Sequence, residues 1–208
     1  MMGLVRLSAR LRGIVDSVGR AATFILIPLV LITVWDVVAR KLVWIQIFMV
    51  QTFGRIFEST LLQEMEWHLH TALFTLVFAY GYTHNRHVRV DFLREKMAFR
   101  KQAWIEFLGC TFFVIPFTIV VGYFAFIYTN DSYQIGEQSA SLVGLPYRWV
   151  IKSFLIFGFG FLLLAAISVW LQVFVVLFGS ERERFELMVL SWPPDEPGAT
   201  DALKQAAE

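Results

Sequence analysis

Residues Trp149–Phe178 read WVIKSFLIFGFGFLLLAAISVWLQVFVVLF, and the one charged side chain in that run is Lys152, near its start. At 1.5 Å per helical residue, about 20 residues cross the roughly 30 Å of hydrocarbon in a bilayer. This run is long enough to cross with tilt to spare. Working back along the chain, three more apolar stretches stand out: Trp104–Tyr128, about Trp67–Tyr82, and Ala21–Val38. The stretch at Trp67 is short unless Leu61 to Glu66 are drawn into it. Trp35, Trp44, Trp67, Trp104, Tyr128, Tyr147 and Trp149 gather at the ends of these runs, as an aromatic belt does at a membrane interface. Pro28 and Pro116 fall inside two of them, which a bundle tolerates when neighbours satisfy the freed backbone groups. The expected fold is an all-α integral membrane protein of about four transmembrane helices.

Composition agrees. Of 208 residues, 57% are hydrophobic and 17% charged, with a mean hydropathy of +0.61. Soluble domains run at roughly 45–50% apolar and about 25% charged. The net charge of +1 conceals a local asymmetry. Arg6, Arg10, Arg12 and Arg20 precede the first run, and Arg86, Arg89, Arg94, Lys96, Arg100 and Lys101 lie between the second and third. Arg182 and Arg184 follow the fourth, whereas the connection before it carries Arg148 against Asp131 and Glu137. Basic residues in short loops favour the cytoplasmic side, so both termini are expected there, although Arg40, Lys41 and Arg55 in the first connection dissent. A cleaved signal peptide ending near Val37-Val38-Ala39 is disfavoured by the length of the first apolar run and by Trp35 and Asp36 near its end.

The segments that do not cross divide the chain further. In residues 1–20, Leu4, Leu7, Leu11, Ile14, Val15 and Val18 recur at helical spacing while Arg6, Arg10, Ser17 and Arg20 fall off that face. This is the pattern of an amphipathic helix on the anionic cytoplasmic surface. Inside the membrane domain of residues 21–180, a second interfacial helix is expected near 43–58. Its stripe is Ile45, Phe48, Met49, Phe53, Ile56 and Phe57, interrupted by Gln46, Gln51, Arg55 and Glu58. Thr60-Leu61-Leu62-Gln63 has a capping-box pattern that would open the next helix. Glu64 and Glu66 then fall near its positive end. Residues 181–208 form a polar tail, and its last part, Ser191–Glu208, is rich in proline and small residues and is expected to be disordered.

Reactive constellations are scarce. The sequence has no P-loop, no G-x-S-x-G elbow and no H-E-x-x-H helix. His68 and His70 flank the start of the second run and His84 and His87 follow its end. On one helix these pairs stand more than about 20 Å apart, too far to share a metal. A haem needs axial ligands from facing helices, and the other three runs contain no histidine. Cys110 has no second cysteine to pair with. Asp36 and Arg40 are spaced to pair on one helical face. Glu106 and Lys152, like them, sit near span ends, where long side chains snorkel. No charge falls at a bilayer centre, so a complete ion or substrate pathway within this chain is not expected.

Read in order, the following stretches carry a resemblance. Trp35-Asp36-Val37-Val38-Ala39-Arg40 closes the first span, and Gln63-Glu64-Met65-Glu66-Trp67-His68-Leu69 opens the second. His87-Val88-Arg89-Val90-Asp91-Phe92-Leu93 follows it. Gly136-Glu137-Gln138-Ser139 and Gly144-Leu145-Pro146-Tyr147-Arg148-Trp149-Val150-Ile151-Lys152 precede the fourth. Together, over about residues 20 to 178, they resemble the small membrane subunit (DctQ-like) of the tripartite ATP-independent periplasmic (TRAP) transporters, with a longer helical insertion at Val43–Thr60.

The resemblance implies a non-enzymatic, cofactor-free scaffold in a bacterial inner membrane. Its expected partners are a large multi-span membrane subunit, a periplasmic substrate-binding protein and membrane lipids, with no nucleic acid. The transport implied is sodium-coupled uptake of an organic acid. The residues it singles out for subunit or lipid contact are Glu64, Glu66, His87, Arg89, Asp91 and Arg148. The competing readings are a haem-binding electron-transfer subunit and a membrane assembly protein.

Overall fold

Two prolines set where the long helices deviate. Pro28 has no N–H to give Phe24, and its ring crowds that carbonyl. The chain accordingly turns at Phe24-Ile25 between helix α1 (Met2–Thr23) and helix α2 (Leu26–Lys41), held there by three-residue bonds from Phe24 to Ala21 and from Ile25 to Ala22. Pro116 acts likewise on Phe112, and the turn before it, Cys110–Val114, widens into a π stretch in which the Ile115 N–H bonds the Cys110 carbonyl. That bulge lies within one long helix, α5 (Phe99–Gln134).

The computed structural model describes residues 1–86, 97–141, 143–179 and 185–192. Besides α1, α2 and α5, these form α3 (Val43–Phe53), a 3₁₀ turn (Arg55–Phe57), α4 (Ser59–Thr83) and α6 (Arg148–Phe178). No strand occurs among the described residues. Among the described residues, three stretches are long and apolar enough to cross a membrane: Met2–Lys41, Phe99–Gln134 and Arg148–Phe178. Helix α4 has 25 residues and so the length, about 37 Å. Its first half carries Glu64, Glu66, His68 and His70, and it falls short in hydropathy. Among the described residues, three spans are therefore evident from length and composition, and α4 is not counted with them.

Helix ends are closed by residues suited to a positive φ. Asn85 (φ 56) follows α4, with the Arg86 N–H reaching back to the Gly81 carbonyl. Gly136 (φ 58) follows α5, with the Glu137 N–H on the Ser132 carbonyl. Both are left-handed C-terminal caps.

The chain divides into two compact units. The first draws on residues 1–17, 79–120 and the described residues from 160 onward. Its core is Ala103, Cys110, Val169, Val173, Leu177, Met188, Val189 and Leu190, flanked by Phe107 and Trp170, whose rings stack at 5.3 Å. Polar links tie the helices of this unit. Ser8 and Ser168 each donate a hydroxyl to the other's backbone carbonyl, at 2.9 and 2.8 Å, and Trp170 Nε1 donates to Thr111 Oγ1 at 2.8 Å. Segment 185–192 returns onto α6. Gln172 donates to the Glu186 carbonyl and accepts from the Met188 N–H, and Met188, Val189 and Leu190 are buried. This corrects the tail expected over 181–208: its part 185–192 is packed structure, because Met188-Val189-Leu190 supplies apolar surface that α6 covers. Residues 193–208 lie outside the described residues.

The second unit draws on 18–78 and 121–159. Here α4 and α6 approach closely at Gly158, where an added Cβ would stand 2.8 Å from the Cβ and carbonyl oxygen of Thr75. The stripe expected on residues 43–58 is not a distinct face. Val43, Trp44, Ile47, Phe48 and Phe53 are all exposed and α3 buries no residue, so the helix is apolar around most of its circumference. The capping box at Thr60 is also displaced: α4 begins at Ser59, with the Leu61 and Leu62 amides on the Glu58 carbonyl.

Candidate functional site

The second turn of α4 carries Glu64, and the polar groups around its carboxylate come from residues 75 to 84 positions away. The Ser139 hydroxyl donates to Glu64 Oε1, the Leu145 N–H donates to Oε2 at 2.5 Å, and an Arg148 terminal nitrogen stands 3.6 Å from Oε1. Local structure explains each position. The cap at Gly136 turns the chain off α5 so that Glu137 and Ser139 face the start of α6. Gly144 leaves room for the carboxylate, since a Cβ there would lie 2.7 Å from Glu64 Oε1 and overlap the Ser139 side chain. Tyr147 takes a φ of 60, a left-handed conformation rare for an aromatic residue, immediately before α6 opens at Arg148.

Arg148 is held from several sides. It reaches Ser139 Oγ at 3.4 Å, and its guanidinium carbon lies 5.4 Å from the centre of the Trp67 ring, a cation–π distance. Its backbone N–H donates to the Glu137 carbonyl at 3.2 Å. One turn on, Lys152 donates to the Glu137 carboxylate while its ammonium sits 3.7 Å from the centre of the Tyr128 ring. The Lys152 hydrogen bond holds the Glu137 carboxyl below its ordinary value. A third polar group closes the α2–α4 contact. Buried Asp36 accepts from Arg40 on its own helix and from Ser59 Oγ at 2.7 Å.

Of the residues singled out from sequence, Glu64 and Arg148 are thus brought together. Glu66 does not join them, and its Oε1 is buried without a hydrogen-bond partner among the described residues. His87, Arg89 and Asp91 lie outside the described residues. The Asp36–Arg40 pair forms as its spacing indicates. Ser59, Ser139 and the Glu137–Lys152 pair were not singled out. Ser139 and Glu137 stand in the quoted GEQS block, so the signal was present; what was missing was the fold that carries them to α4 and α6.

Chemically, the arrangement is a clamp. A carboxylate saturated by a hydroxyl, an amide and a guanidinium is stable as an acceptor and poorly placed to take a proton from a substrate. No group of three or more His, Cys, Asp or Glu side chains able to hold a metal occurs among the described residues. Two of the histidine rings near the ends of α4 point Nδ1 at carbonyls of their own helix, His68 at Glu64 and His84 at Tyr80.

Comparison with known proteins places these blocks. No curated protein and no solved structure matches the chain. A family model, described as the DctQ component of the tripartite ATP-independent periplasmic transporters, matches residues 29–176. That match takes in α2 to α6, including Asp36, Glu64, Ser139, Arg148 and Lys152, and the family is one of transporter components, not enzymes. On a match over more than half its length, the chain belongs to the DctQ component family of the tripartite ATP-independent periplasmic transporters.

Proposed function

We propose that this chain is the small membrane subunit of a sodium-coupled TRAP-type transporter. It supports a large membrane subunit that takes up an organic acid delivered by a periplasmic binding protein. The observation that carries the reading is the family match over residues 29–176. The polar geometry is consistent with it: the clustered charges pair with one another near helix ends, as suits a scaffold whose substrate path lies in another subunit.

In this reading the chain is a multi-pass protein of the bacterial inner membrane, and α4 crosses as the fourth span. Its polar first half is tolerated because Glu64 is satisfied by protein groups instead of being offered to lipid. Both termini are then cytoplasmic, as the basic clusters ask. Glu64, Glu66, His87, Arg89, Asp91 and Arg148 are proposed as contacts to the large subunit or to lipid headgroups, with Glu64 and Arg148 acting by shaping the α5–α6 connection.

Co-expression with the large membrane subunit, followed by affinity purification through a tag on this chain, tests the reading. The two are expected to elute together at fixed stoichiometry in mild detergent. Recovery of this chain alone, with the large subunit equally abundant and stable without it, would overturn the proposal.

A further inference from the structure

Helix α1 touches two different helices of its own unit at points eight residues apart. Ser8 exchanges hydrogen bonds with Ser168 of α6. Asp16 accepts from Thr83 Oγ1, the last residue of α4, at 3.1 Å and lies 3.6 Å from the His84 ring. Eight residues rise about 12 Å, close to the roughly 8–10 Å between packed neighbouring helices. Helix α1 thus spans from α6, at Ser8, to the end of α4, at Asp16, and crosses between these helices.

That crossing fixes which sides of α1 face outward. Ser8 and Val15 are buried, and Arg12 is turned to Asp16 at 3.6 Å and Glu186 at 3.2 Å. Leu7 and Ile14 remain 46% and 49% exposed, although both belong to the apolar spacing. Arg6 and Arg10 are exposed as well. At about 100° per residue, Leu7 and Ile14 share one edge and Arg6 and Arg10 share the next.

We propose that Arg6 and Arg10 form a docking edge for the phosphate groups of anionic phospholipids, with Leu7 and Ile14 immersed in the acyl region beside them. An in-plane helix that offers an apolar edge and a guanidinium edge side by side matches the two layers of a lipid surface at their boundary. Arginine suits the phosphate because its planar fork binds two oxygens at once. The inference requires the chain to be in a membrane and is independent of its transport role.

The test uses the full chain in nanodiscs, with a spin label at Ile14→Cys in a Cys110→Ala background. Lipid is phosphatidylcholine alone or mixed with phosphatidylglycerol. The label is expected to favour oxygen over a water-soluble nickel chelate as quencher, and phosphatidylglycerol is expected to raise that ratio about twofold or more. Arg6→Gln with Arg10→Gln should abolish the increment, whereas Arg6→Lys with Arg10→Lys should retain most of it. A ratio indifferent to phosphatidylglycerol, or an increment that survives the glutamine pair, overturns the proposal. So does a label shielded from both reagents, which would mean that protein covers the edge.

Discussion

Replacing Glu64 by alanine strands the Ser139 hydroxyl, the Leu145 amide and Arg148 at once. Hydrogen bonds to a charged group are worth about 1.5–3 kcal/mol each, and the losses are not additive. We expect Glu64→Ala to cost about 2 kcal/mol, read as a lower thermal midpoint in detergent, with Glu64→Gln retaining part of it. A midpoint unchanged by the alanine would show that the clamp does not hold the connection. Glu137 yields a pH dependence. Because Lys152 holds its carboxyl below the ordinary 4.5, the pair's contribution is complete above that value and is lost as pH falls through the lowered one. The midpoint difference between the wild type and Glu137→Gln should be constant from neutral pH to about 5 and shrink in stronger acid. A difference that grew on acidification would contradict the assignment. Such residues were only half legible in the sequence. Asp36 and Arg40 could be paired because helical spacing is local. Glu64 and Ser139 are 75 positions apart, and no periodicity links them.

At the scale of elements, the helices were legible wherever an apolar run was uninterrupted. Trp149–Phe178 corresponds almost residue for residue to α6, and Trp104–Tyr128 lies within α5. What failed did so for identifiable reasons. The helix expected to be capped by Thr60 starts at Ser59, whose hydroxyl is committed to Asp36. The tail was read by its prolines, which hid the apolar Met188-Val189-Leu190 just before them. The π stretch at Cys110–Val114 follows from Pro116, and a proline in a sequence marks where a helix deviates but not whether it kinks or bulges. The α4–α6 contact at Gly158 supplies a further test. A larger side chain must force the two helices apart, so Gly158→Leu should destabilise by about 1–3 kcal/mol, whereas substitution at Gly160, where an added Cβ meets nothing within 4 Å, should not. Equal effects at the two sites in a thermal melt would argue against the packing described.

For the whole molecule, the number of spans decides the topology. Three spans place the termini on opposite sides of the membrane and four place them on the same side. Reporter fusions at residues 1 and 208 are expected to be active on the cytoplasmic side at both ends, making α4 the fourth span. Opposite signals would leave α4 on the membrane surface and remove the scaffold model's topology. The all-helical membrane character was legible from composition, because the high apolar content leaves no soluble alternative. The run at Trp67–Tyr82 also reads as a span, but α4, which contains it, falls short in hydropathy because its first half carries Glu64, Glu66, His68 and His70. Only the fold shows Glu64 satisfied by the α5–α6 connection. Whether this chain is a required supporting subunit is read from uptake itself. Proteoliposomes holding the large subunit, supplied with the binding protein and a sodium gradient, should take up substrate only when this chain is present. Full sodium-dependent uptake in its absence would contradict the account.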